Sequence, residues 1–226
     1  SDLNKLTEII NQNMSQVYNQ LQKFINSSET VDFLNSYYLG LKTEKFASLE
    51  NLRANNNFLI CARVYDKRKV IIYSTEPDIT IIGKKELISD GFSFNAADQT
   101  LEIVTSVEIE SRNQKEKIGY IKTEYNISFI FVHDQDIKFN KIDIFDSLKA
   151  LNKNIILYNA FSFQLSNDEI DKLIDTVNKS VNITQIKNAV NGCSVIFKNL
   201  KIVPWKAAIL YKIRFLKIPA ASLLIL

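Results

Sequence analysis

Glycine and proline are scarce in this chain of 226 residues, at five and three. So few glycines leave little room for loops that cradle phosphate, and neither GxxxxGKS, GxxxxGKT nor GxGxxG occurs, which excludes nucleotide binding of those kinds. Histidine occurs once, at His133, so a Ser-His-Asp or Cys-His constellation has a single candidate base. The two cysteines, Cys61 and Cys193, lack the CxxC spacing of zinc or redox sites and read as small buried hydrophobes. A disulfide between them would require Cα atoms within about 7 Å of each other. Charge of one sign is also missing: 28 basic and 25 acidic residues are well mixed and give a net charge of +3, so no electropositive surface for nucleic acid is written into the chain. No apolar run reaches the roughly eighteen residues that span a bilayer, and the polar, periodic opening SDLNKLTEII is no signal peptide.

Hydrophobic residues make up 46% of the chain, enough for one large domain or two small ones with real cores. From Leu3 to Phe24, apolar residues at 3, 6, 10, 14, 17, 21 and 24 recur at spacings of three and four, the stripe of a long amphipathic helix with an Asn- and Gln-rich opposite face. Ser27, Ser28 and Thr30 offer caps for a second helix over Val31 to Leu41, and Thr43 for a third over Glu44 to Ala54. FLICARVYDKRKVIIYST, Phe58 to Thr75, then reads as two strands meeting at a charged turn, Asp66 to Lys69, with Asp66 hydrogen-bonding its own backbone where a glycine is usual.

Pro77 breaks the pattern, and the residues to Gly91 read as a loop with a short helix. Strands follow over Phe92 to Asn95, Leu101 to Ile109 and Ile118 to Phe131, giving an antiparallel sheet of about five strands preceded by helices, an α+β module. A polar linker from His133 to Asn140 leads to a second, smaller module: a helix over Ile142 to Leu151, a strand over Asn154 to Phe163, a helix over Asp168 to Lys179 capped by Asn167, and closing strands over Cys193 to Leu200 and Ile202 to Ile213. The expected divisions are residues 1–56 for the stalk and flanking helices, 57–133 for the first sheet module, 141–213 for the second module, and 214–226 for an apolar tail. IPAASLLIL, Ile218 to Leu226, follows Lys212, Arg214 and Lys217 and reads as the first turns of a transmembrane helix with basic residues at the headgroups; a core strand or helix has the same composition.

Three stretches carry a family likeness. RVYDKRKVIIYST (Arg63 to Thr75), IGYIKTEYNISFI (Ile118 to Ile130) and KIVPWKAAILYKI (Lys201 to Ile213) resemble the central hairpin, the closing strand of the membrane-distal module and the membrane-proximal last strand of the double Cache family. Those are the extracytoplasmic sensor regions of bacterial chemoreceptors, histidine kinases and diguanylate cyclases. The resemblance covers nearly the whole chain. It implies a long helix, a membrane-distal PAS-like module, a smaller membrane-proximal module and flanking transmembrane helices, in a bacterial inner-membrane receptor with its sensor on the periplasmic side. Lys67-Arg68-Lys69 departs from the family's glycine turn, and the Arg-x-Trp-Tyr element that holds an amino-acid carboxylate is absent between Glu44 and Asp66, so no amino-acid ligand is carried over.

For a sensor, a small-molecule ligand of unknown identity would sit on the distal sheet's concave face, lined by aromatic and a few charged groups. Arg63, Tyr65, Tyr73 and Tyr120 are the candidates, with Arg63 and Tyr65 on one face of their strand by alternation. Trp205 reads as an interfacial or core anchor. The run His133-Asp134-Gln135-Asp136 has the composition of a first-row metal site and equally of a hydrogen-bonded turn, and Glu108 with Glu110 reads as an exposed edge. No catalysis, metal or cofactor is expected. The leading reading is a non-enzymatic input domain that forms a homodimer through the first helix. A dimerisation or partner-binding module of the same fold, and a small soluble hydrolase or effector with an apolar C-terminal strand, are the alternatives; a hydrolase would place His133 near a Ser or Cys in a cleft.

Overall fold

The computed structural model describes residues 2–41, 46–95, 98, 100–111, 113–127, 155–159, 165–180 and 185–212. The chain divides into two compact units, one over Leu6–Ile137 with Lys201–Val203, the other over Ser1–Lys5, Lys138–Leu200 and Pro204–Leu226. The expected linker at 133–140, the helix at 142–151, the cap Thr43 and the apolar run at 218–226 lie outside the described residues.

Helix α1 (Asp2–Ile25) belongs to the first unit from Leu6 onward, and Ile10, Met14, Val17, Leu21 and Phe24 of its predicted stripe are all at most 7% exposed. Each such side chain contributes roughly 1.5–3 kcal/mol of apolar transfer, so packing within the unit, rather than propensity, holds an Asn- and Gln-rich helix together. These five positions of the stripe expected to form a homodimer are packed within the unit. α1 passes into α2 (Ser28–Tyr38) at one hydroxyl pair. Ser27 Oγ and Thr30 Oγ1 donate to the Phe24 carbonyl at 2.7 and 2.8 Å, while Ser27 Oγ accepts from the Thr30 amide. Both helix ends are thus satisfied within seven residues. Helix α3 (Ala47–Ala54) begins later than expected, with Phe46 at its cap position.

Strands β1 (Leu59–Asp66), β2 (Ile71–Ser74), β3 (Gly91–Asn95), β4 (Thr100–Ser111) and β5 (Gln114–Asn126) form an antiparallel sheet in the order β2-β1-β5-β4-β3. This is the antiparallel sheet of five strands that the sequence predicts, and the fold is α+β. The glycine-free hairpin closes as its aspartate allows. Fully buried Asp66 accepts from the Arg68 and Val70 amides at 2.8 and 2.9 Å and from Arg68 Nε at 3.0 Å, and Lys69 takes the left-handed conformation (φ 67°) that glycine would otherwise supply. Only a single turn of 3-10 helix, Ile79–Ile81, interrupts the long β2–β3 segment.

The two faces of the sheet differ. Phe33 of α2 and Phe46 stack at 4.3 Å, and both meet Tyr73 edge-on at 5.6 and 6.0 Å, so the helices cover the face that carries Tyr73. Gly119 sits under them because nothing larger fits: a Cβ there would lie 2.6 Å from the Tyr65 carbonyl oxygen and 2.9 Å from a Leu34 methyl. The opposite face is covered by the β2–β3 segment, with Ile81 and Ile88 packed against Tyr65, Ile71, Val104 and Tyr120.

The second unit is a four-stranded sheet, β6 (Ile155–Asn159), β9 (Lys206–Lys212), β8 (Cys193–Asn199) and β7 (Gln185–Val190) in that order, with β6 parallel to β9 and the other pairs antiparallel. Helix α4 (Asn167–Lys179) lays Ile170, Leu173, Ile174 and Val177 against it. Its cap is Ser166 rather than Asn167: Ser166 accepts from the Glu169 amide while the Glu169 carboxylate accepts from the Ser166 amide, a capping box. β7 is a strand the sequence reading does not anticipate, although Asn191-Gly192, both at positive φ (48° and 72°), is the residue pair a tight hairpin requires. β9 starts only at Lys206, because Pro204 has no amide to add to a ladder. Trp205 is 2% exposed, which makes it a core residue.

Candidate ligand-binding face

Strand alternation and register decide which side chains meet. Arg63 and Tyr65 share one face of β1; directly across, β5 presents Lys122 and Tyr120, and β4 presents Val104 and Ser106 opposite those. One pair further along, Glu124 of β5 faces Glu102 of β4. Three of the four sequence candidates, Arg63, Tyr65 and Tyr120, are therefore brought to one face. Tyr73 is not. It pairs with Val64, whose side chain points the other way, and its hydroxyl donates to Glu50 Oε1 at 2.8 Å among the helices.

On the shared face the side chains form a lattice of charge. Arg63 Nε and Nη2 donate to the two oxygens of Glu76 at 2.7 and 3.0 Å, a bidentate fork, while Nη1 reaches Glu124 at 3.2 Å and Glu86 at 3.4 Å. Lys122 Nζ lies 3.1 Å from Glu102, 3.2 Å from Glu124 and 4.0 Å from Glu86. Tyr65, fully buried, donates its hydroxyl to Glu86 Oε2 at 2.7 Å. Glu76 and Glu86 belong to the covering segment, which is fastened to β2: Ile71 donates to the Lys84 carbonyl, Gly83 to that of Ile71, and Glu86 to that of Lys69.

The electrostatics agree with this geometry. The Glu76 hydrogen bond raises the Arg63 pKa, and the same bond holds the Glu76 carboxyl below the usual carboxylate range. Burial alone would depress Lys122, but Glu124 and Glu102 beside it raise it. Burial, then the bond to Glu86, pushes the Tyr65 hydroxyl up. By formal charge the cluster holds two cations, Arg63 and Lys122, among four carboxylates, Glu76, Glu86, Glu102 and Glu124. Tyr120 completes the wall; Lys117 and Lys69 sit over its ring at 4.9 and 5.8 Å.

Lys122, Glu102 and Glu124 were legible in principle. Alternation through YIKTEYN places Tyr120, Lys122 and Glu124 together, and a lysine and a glutamate on the same face as a half-buried tyrosine is the departure from an apolar strand that marks a polar site. Glu76 and Glu86 carry no periodic signal, since a loop positions them. Of the other sequence candidates, His133 lies outside the described residues, and Glu108 and Glu110 are exposed and face Lys117 and Lys115 across the β4–β5 ladder. Among the described residues no group of three His, Cys, Asp or Glu is placed to hold a metal ion, and no helix is long and apolar enough to cross a membrane.

No family model matches the chain, and no curated protein does. Among solved structures the chain is similar to the extracellular ligand binding receptor from Desulfohalobium retbaense DSM5692, with 12% sequence identity and a TM-score of 0.49. The match covers 91% of this chain and 39% of that one, so this chain spans about two fifths of that receptor's length.

Proposed function

We propose that the chain is the extracytoplasmic input module of a membrane-bound bacterial receptor such as a histidine kinase, diguanylate cyclase or chemoreceptor. In this reading a small molecule binds between the charged face of the first sheet and the β2–β3 segment. The observation that carries the reading is the clamp itself: a segment held over a sheet by Glu76 and Glu86 on Arg63, Tyr65 and Lys122. A ligand that prefers the segment released from the sheet to the segment held on it, or the reverse, would shift the balance between the two. The excess of two carboxylates selects a ligand bearing an amine, which supplies the missing positive charge; an organic acid would have to expel a glutamate from Arg63 first. The membrane context rests on the family resemblance and on the apolar run Ile218 to Leu226. A second reading, a partner-binding module, is favoured by the exposure of Ile79, Ile82 and Leu87 on that same segment.

The test is a thermal-shift panel of amines, organic acids, purines and sugars against the full chain, since a ligand that binds only the folded state raises the melting temperature by mass action. Amines that stabilise the chain, and fail to stabilise a folded Glu86→Gln variant, support the reading. Stabilisation by organic acids alone would reverse the charge assignment, and a panel without shifts would move the function to partner binding.

A further inference from the structure

A cleft lies elsewhere in the first unit, apart from the charged face. Three carboxamides spaced along α1, Asn13, Gln16 and Gln20, face three consecutive ones, Asn55, Asn56 and Asn57, in the turn between α3 and β1, across a cleft of about 250 Å³. Val17 and Phe58 supply the apolar part of the lining, and no charged side chain contributes to it. The six amides are a consequence of the sequence pattern: spacings of three and four place the α1 residues on one side of the helix beside the buried stripe, and an Asn-Asn-Asn turn follows the end of α3.

Asn56 is fixed from both ends. Its Oδ1 accepts from the Phe58 amide at 3.1 Å and its Nδ2 donates to Gln20 Oε1 at 3.3 Å, which ties the turn to the helix and orients the neighbours. Gln16, Asn55 and Asn57 are exposed at the mouth.

A carboxamide offers donors and an acceptor side by side without charge, so the exposed Gln16, Asn55 and Asn57 match a ligand whose own groups both donate and accept: hydroxyls on adjacent carbons. An ion finds no counter-charge here, and a purely apolar ligand would cover the exposed amides of Gln16, Asn55 and Asn57 without replacing their hydration. The half-buried Phe58 ring gives a flat apolar face on which the C–H side of a sugar ring can rest. The volume equals about eight waters at roughly 30 Å³ each, the scale of a single sugar ring. The geometry points to a binding site for a neutral monosaccharide, bridging α1 and the turn that feeds β1. Such a ligand would fasten the long helix to the sheet module at a point separate from the clamp.

The experiment is a proton–nitrogen correlation titration of the full chain with D-glucose, D-galactose and N-acetyl-D-glucosamine to millimolar concentration, read on the side-chain amide resonances of Asn and Gln. The expected result is a saturable shift with at least one of the three, confined to the cleft amides and the backbone near Phe58. The exposed pair Gln16→Ala and Asn57→Ala, which leaves the Asn56 bonds intact, should weaken that binding at least tenfold without lowering the melting temperature. Glu86→Gln should leave it unchanged, which separates this site from the charged face. Titrations without a saturable shift, or a shift that the double variant retains at full affinity, would overturn the assignment.

Discussion

Replacing Arg63 by methionine keeps the volume of the side chain and removes the charge on which three carboxylates converge. The guanidinium is 15% exposed, and it makes two bonds to Glu76 and one close approach each to Glu86 and Glu124. Hydrogen bonds to charged groups contribute about 1.5–3 kcal/mol each, and breaking a fully buried pair costs about 3–5 kcal/mol. Glu76 and Glu86 remain about 30% exposed and recover part of their hydration, whereas Glu124, at 12%, loses one of its two cations and keeps Lys122. The expected loss is therefore about 2–3 kcal/mol, below the fully buried figure and above the roughly 0–1 kcal/mol of a surface pair. Arg63→Lys, which retains the charge without the fork, should lose about half of that. The assay is urea denaturation followed by circular dichroism, with the midpoint falling and the slope unchanged. A loss under about 0.5 kcal/mol for Arg63→Met would show that the lattice is a screened surface feature, and the clamp argument would fail with it.

Three further outcomes follow from particular contacts. Gly119→Ala should destabilise the first unit by about 1–3 kcal/mol, because the clash at 2.6 Å is with a carbonyl oxygen fixed in a strand; a melting temperature equal to the wild type would refute that packing. Stability should be flat across neutral pH and fall at both ends. Glu76 titrates below its ordinary 4.5 when folded, so its contribution is present above that pH and lost as pH falls through the depressed value, while Lys122 and Tyr65 titrate above 10.5 and 10.0 and contribute less as pH rises past those values. A melting series should show the acid limb flattened in Glu76→Gln; an unchanged limb would place the acid sensitivity elsewhere. Finally, burial pushes the Cys61 thiol up to about 12, and Cys193 is 2% exposed, so neither should react with an aromatic disulfide reagent until the chain unfolds. Rapid labelling of the native chain would contradict both burials.

Much of the fold was legible because local pattern and tertiary packing agree. The α1 stripe, the β1–β2 hairpin with Asp66 at its turn and the helix over 168–179 all appear where spacing and capping chemistry put them. The misses have physical sources. β7 is short and half-polar, QIKNAV, so its own residues give little alternation, and its signal sits in the Asn191-Gly192 turn after it. Ser166 takes the cap from Asn167 because Glu169 lies three residues on and completes a box with it. The site was half legible. Strand period two placed Arg63 and Tyr65 on one face, but reading the hairpin's aromatics together joined Tyr73 to them, although one step of the pleat turns Tyr73 toward the helices. The partners that make the face a clamp, Glu76 and Glu86, are set by the path of an irregular segment, which no period encodes.

Whether the charged face prefers an amine is read from a proton–nitrogen correlation titration of the full chain with a short aliphatic diamine, alongside the dicarboxylic acid of equal length. Saturable shifts with the diamine at Arg63, Glu86, Lys122 and Glu124 and along the β2–β3 segment, and none with the diacid, are the predicted result. Shifts with neither compound, or with the diamine only outside this face, would contradict it.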